Sequence, residues 1–112
     1  MYCRTQLGEL QQFLPRFQAL GAEVWAVSST DTTDRLAAYA SAKGLTFPLL
    51  SDRELTLTKR YGLLERSNGM MAEPAAIVID RGGTVRFVRI DVDFRQRPPA
   101  QDLLDVVRNL ER

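Results

Sequence analysis

This chain holds one cysteine, Cys3, placed where a thiol can be activated without a partner base. Downstream of it Leu7, Leu10, Phe13, Leu14, Phe17 and Leu20 recur at three- and four-residue spacings, the period of one helical face. Cys3 is therefore expected at or just before the first turn of a helix. Unpaired backbone N–H groups and the positive end of the helix dipole lie there, and both favour thiolate over thiol. There is no histidine, which excludes Ser-His and Cys-His nucleophile pairs and histidine-ligated metals. A single cysteine forms no internal disulfide and no thiolate metal cage. The surviving covalent chemistry is attack by a thiolate held by backbone dipoles, with Arg4 or Thr5 adding hydrogen bonds. A plainer reading stays open beside it: Cys3 as a small hydrophobe near a chain end, Arg4 as a solvated charge, Thr5 as an ordinary helix residue.

The elements that must position Cys3 follow from pattern. The first helix is expected over about Gln6 to Leu20, kinked at Pro15 and stopped by Gly21 in the left-handed C′ position. Glu23 to Ser28 (EVWAVS) reads as a short buried strand. Ser28 to Asp31 offers N-caps for a second helix, Thr32 to Lys43, closed by Gly44. Phe47 to Leu50 (FPLL) is extended at most, and Asp52 caps a short helix through Tyr61 that ends at Gly62. Leu63 to Glu73 reads as a loop, with Met70 and Met71 as flexible filler. Ala75 to Asp80 (AAIVID) is a continuous apolar run, expected to be a strand covered on both faces. Asp80-Arg81-Gly82-Gly83 turns the chain into a hairpin partner, Thr84 to Ile90. Pro98 and Pro99 open a final helix whose apolar face is Leu103, Leu104, Val106, Val107 and Leu110.

Length and composition set the limits. With 112 residues the chain is read as one domain, 1–112. A net charge of +1 makes no electrostatic case for nucleic acid, an anionic membrane or an acidic substrate. No apolar run approaches the roughly 20 residues a spanning helix needs, and no charged-then-apolar leader opens the chain. The expected location is the cytoplasm.

Helices alternating with strands imply an α/β fold with a mixed sheet, helices on both faces and one antiparallel pair near the C-terminal end. Several blocks then carry a resemblance: Cys3-Arg-Thr-Gln-Leu-Gly-Glu-Leu, Gly21-Ala-Glu-Val-Trp-Ala-Val-Ser, Phe47-Pro-Leu-Leu-Ser-Asp, Tyr61-Gly-Leu, and Glu73-Pro-Ala-Ala-Ile-Val-Ile-Asp-Arg-Gly-Gly-Thr-Val-Arg. In this order and spacing they resemble the thioredoxin-like superfamily, in the branch of peroxiredoxins and related redoxin domains. The resemblance implies a thioredoxin-like fold in which a strand delivers the chain to a reactive cysteine. Here that usual first strand before Cys3 is lacking, so the domain reads as incomplete at its N-terminus. Met1 would then be an internal residue of a longer Cys-Met-Tyr-Cys motif. Cys3 matches the peroxidatic cysteine or, equally, the second cysteine of a C-x-x-C. Pro74 matches the proline that is cis in thioredoxins and packs beside the redox centre.

Three departures qualify the match. Pro74 stands where peroxiredoxins usually carry an arginine, for which Arg86 or Arg89 on the next strand are the available substitutes. The Pro-x-x-x-Thr-x-x-Cys loop is absent, and so is a resolving cysteine. The implied function is a thiol-dependent oxidoreductase of antioxidant type. Cys3, with Arg4, Thr5 and Pro74 around it, reduces a peroxide or a disulfide, and an external thioredoxin- or glutathione-like thiol resolves the product. No cofactor is expected, and a homodimer is the expected assembly. The competing reading is a non-catalytic thioredoxin-fold module that binds a protein, or an inactive fragment.

Overall fold

The computed structural model describes the backbone of residues 2–4 and all of residues 5–63, 75–90 and 98–110. The chain divides into two compact units, Met1–Val24 with Pro74–Arg112, and Trp25–Glu73. The element order is α1 (Tyr2–Ala19), β1 (Ala26–Ser28), α2 (Thr33–Lys43), β2 (Leu49–Ser51), α3 (Thr56–Arg60), β3 (Ala75–Ile79), β4 (Val85–Ile90) and α4 (Ala100–Leu110). Among the described residues the strands form two sheets, a parallel pair β1–β2 and an antiparallel pair β3–β4.

In the first unit, α1 is one continuous helix with Pro15 inside it. The apolar stripe read from the sequence is the face it buries: Leu10, Leu14 and Phe17 are buried, and Leu7, Phe13 and Leu20 are half-buried. Its end is built as the glycine predicts. Gly21 takes φ +74°, the Gly21 N–H donates to the Gln18 carbonyl, and the Ala22 N–H donates to the Phe17 carbonyl. That double closure satisfies carbonyls a helix end otherwise leaves bare. α1 packs against α4, which contributes Ala100, Leu103 and Leu104 to the core, and α4 also touches β3. Among the described residues Leu104 is the most buried large side chain, at 1% exposure. Burying a leucine this fully stabilises the fold by about 1.5–3 kcal/mol.

The hairpin β3–β4 pairs Ala75 with Ile90 and Ile77 with Val88, and its register slips between Val78 and Ile79, where Phe87 and then Val85 are the partners. Asp80 holds the turn. Its Oδ1 accepts the Gly82 and Thr84 N–H groups at 3.0 and 2.9 Å, and its Oδ2 accepts from Arg86 Nη1 at 3.3 Å. β3 departs from the strand expected to be covered on both faces, because Ala75 is exposed and Ile79 is 49% exposed. With a single hydrogen-bonded neighbour among the described residues, β3 belongs to a two-stranded sheet too narrow to bury both of its faces.

In the second unit, β1 covers only Ala26–Ser28 of the expected EVWAVS strand, and Trp25 and Val27 lie exposed rather than buried, for the same reason. Its register sets Ala26, Val27 and Ser28 opposite Leu49, Leu50 and Ser51. Helix α2 is capped by Thr32, whose Oγ1 accepts the Arg35 N–H, and is ended by Gly44 at φ +67°. Leu36, Phe47 and Leu63 are buried. The expected loop from 64 to 73, with Met70 and Met71, lies outside the described residues.

Candidate active site

Helix α1 begins at Tyr2, so the backbone of Cys3 falls in its first turn, as the sequence requires for a primed thiol. Arg4 and Thr5 follow in the same turn, and Thr5 is exposed. The side chains of Cys3 and Arg4 lie outside the described residues, and so does Pro74 with the isomer of its peptide bond. Of the two candidate substitutes for the missing arginine, Arg86 is engaged at the hairpin turn by Asp80, at 3.3 Å. Arg89 is half-buried opposite Ala76.

One residue of the Cys3 helix that sequence reading passed over makes a long-range bond. The Ala100 N–H at the start of α4 donates to Glu9 Oε1 on α1. The need for it follows from Pro98 and Pro99, which precede α4 and offer no side-chain acceptor to its first turn. The Asp102 and Leu103 N–H groups find the Pro99 carbonyl instead. Ala100 is 1% exposed, so without Glu9 its N–H would be a buried donor with no partner. The two residues stand 91 positions apart, and nothing local in either segment announces the pairing.

The second unit holds an open cleft of about 370 Å³ beside the end of β2, lined in part by Ser51, Asp52 and Arg53. Asp52 is already engaged there. Its Oδ2 accepts the Thr58 hydroxyl and N–H, both at 2.7 Å, and Oδ1 accepts the Leu57 N–H at 3.1 Å. The Thr58 hydroxyl foremost, and then these backbone donors, hold the Asp52 carboxyl below its usual value of 3.8. This carboxylate organises the entry to α3. Among the described residues no group of three or more acidic, cysteine or histidine side chains is arranged to hold a metal ion. No described helix is long and apolar enough to cross a membrane.

Comparison with known proteins gives this arrangement a lineage. Over 91 residues the chain is 31% identical to alkyl hydroperoxide reductase E of Mycobacterium bovis, covering 79% of this chain and 58% of that protein. Over 95 residues it is 30% identical to alkyl hydroperoxide reductase C of Staphylococcus epidermidis, covering 81% and 49%. The chain thus spans about half the length of the curated relatives it matches. Among solved structures, AhpC of Enterococcus faecalis superposes with a TM-score of 0.87 at 27% identity, over 99% of this chain and 67% of that one. The mitochondrial 2-Cys peroxiredoxin of Plasmodium falciparum shares the fold with a TM-score of 0.82 at 22% identity, over 96% and 66%. The expected thioredoxin-like α/β fold is therefore the fold of this chain. Residues 1–88 match the AhpC/TSA family, and the chain belongs to it.

Proposed function

We propose that the chain carries the thiol of a peroxide-reducing oxidoreductase. The observation that supports this most directly is Cys3 in the first turn of α1, within a chain of the AhpC/TSA family. The Cys3 thiolate attacks one oxygen of a hydroperoxide. An S–O bond forms, the O–O bond breaks, and the leaving oxygen takes a proton to depart as alcohol or water. Cys3 is left as a sulfenic acid, oxidised by the two electrons that reduced the peroxide. With one cysteine in the chain, an external thiol condenses with the sulfenic acid, releasing water and leaving a mixed disulfide. A second thiol, thioredoxin- or glutathione-like, then releases Cys3 as thiolate.

In this proposal the N-terminal N–H groups of α1 stabilise the thiolate, and Thr5, Arg4 and Pro74 are assigned to the same site. Disulfide substrates react by the same attack at sulfur. The site belongs in a reducing compartment, the cytoplasm, where such thiols are kept supplied and contribute to redox homeostasis. We further read 1–112 as one domain that works as a homodimer.

The test is consumption of hydrogen peroxide and of an organic hydroperoxide, with dithiothreitol or a thioredoxin system as reductant, by the wild-type chain and by Cys3→Ser. Turnover lost in Cys3→Ser is expected. Equal rates in the two would remove the thiol from the mechanism and leave the protein-binding module as the function. In the same samples, a single calorimetric transition and a dimer mass in solution are expected for the domain and assembly readings.

A further inference from the structure

The Glu9–Ala100 bond does more than cap a helix. Cys3 and Glu9 share α1, six residues and about 9 Å of helix rise apart. The buried stripe of α1 against α4 fixes which face is covered, but apolar packing tolerates small slides along the axis. A directional bond from a carboxylate to the first N–H of α4 does not. It locks α1 at one point along and around its axis, fewer than two turns from the backbone of Cys3.

We propose that Glu9 is a positioning residue for Cys3, latching α1 to the N-terminus of α4 so that the thiol-bearing turn stays formed. This rests on the reading of Cys3 as the reactive thiol.

The test follows Cys3 alkylation rate against pH in the wild-type chain, Glu9→Gln, Glu9→Ala and the double variant Glu9→Ala/Pro99→Asp, with a thermal melt of each. Glu9→Gln keeps an oxygen acceptor for Ala100 and is expected not to raise the midpoint. Glu9→Ala is expected to raise it by about 0.5 pH unit, the size of a helix-terminus contribution. Pro99→Asp gives α4 an N-cap of its own. The double variant is therefore expected to recover melting temperature while its midpoint stays raised.

A midpoint in folded Glu9→Ala equal to wild type would overturn the proposal, as would a double variant that restores midpoint and melting temperature together. Loss of folding in both alanine variants would overturn it too, by making Glu9 a residue of the fold alone. A wild-type midpoint at or above the free-thiol value of about 8.5 would instead sink the reading of Cys3 itself, whatever the variants do.

Discussion

Gly21 turns with φ +74° beneath the Arg81 guanidinium, and a Cβ built on it would lie 2.9 Å from Arg81 Nη2. The residue that ends α1 therefore lies against the residue that opens the β3–β4 turn. Gly21→Ala meets two obstacles there. The left-handed backbone is strained for any side chain, while the arginine head is the end of a flexible chain and can yield. The backbone decides the outcome, so a loss of roughly 1–3 kcal/mol is expected in urea unfolding. A loss below the error of the measurement would mean that the chain refolds its turn around the alanine.

Leu104 is 1% exposed and Leu50 is 41% exposed. Leu104→Ala removes atoms from the α1–α4 core and is expected to cost about 2–5 kcal/mol. Leu50→Ala takes away side chain already in water and should stay within about 0.5 kcal/mol of wild type. Denaturation midpoints of the two variants make the comparison, and similar losses in both would place the core elsewhere.

The Asp52 and Asp80 carboxyls both lie below their usual 3.8, Asp52 chiefly through the Thr58 hydroxyl and Asp80 chiefly through the Thr84 N–H. The unfolded chain thus binds protons more readily than the folded one. Their contribution to stability is complete above pH 3.8 and is lost as pH falls through the lower folded values. Melting temperature recorded from pH 6 down to pH 2 should drop steeply only below that point. Asp52→Asn and Asp80→Asn should each make the drop shallower. An unchanged acid limb in both variants would assign acid unfolding to other groups.

Arg86 pairs with Asp80 at the surface, its own side chain 49% exposed. Exposed pairs of this kind contribute little, about 0–1 kcal/mol, and salt screens them. Arg86→Ala is expected to lower stability slightly in low salt and not at all in 1 M sodium chloride. It should leave the alkylation midpoint of Cys3 where it was. A raised midpoint would return Arg86 to the thiol as the substitute for the missing arginine.

Much of this architecture is legible along the chain because its causes are local. The Leu10, Leu14 and Phe17 stripe, the Gly21 and Gly62 stops, the Asp80 to Gly83 turn and the Pro98-Pro99 entry each act within a few residues of their own position. Cys3 in a first turn is legible for the same reason. The exposure of Trp25, Val27 and Ile79 is not, since an apolar run has the same spelling whether its strand has one neighbour or two. Asp52 was legible as a cap, but its reach to Thr58 depends on Leu55 sitting between them at φ +63°, a left-handed conformation that a leucine does not advertise. Glu9 was missed because its partner comes from the other end of the chain.

The two strand pairs also differ in the length of chain each must close. β3 and β4 meet across a tight turn already tied by Asp80, whereas β1 and β2 run parallel and meet only after the whole of α2 has crossed over. Local hairpins form in about 1–10 μs, while parallel pairing must first offset the entropy of closing its crossover. In pulse-labelled refolding, amides of Ile77 and Val88 should therefore gain protection before those of Val27 and Leu50. The reverse order would mean that α2 folds early and brings its strands together.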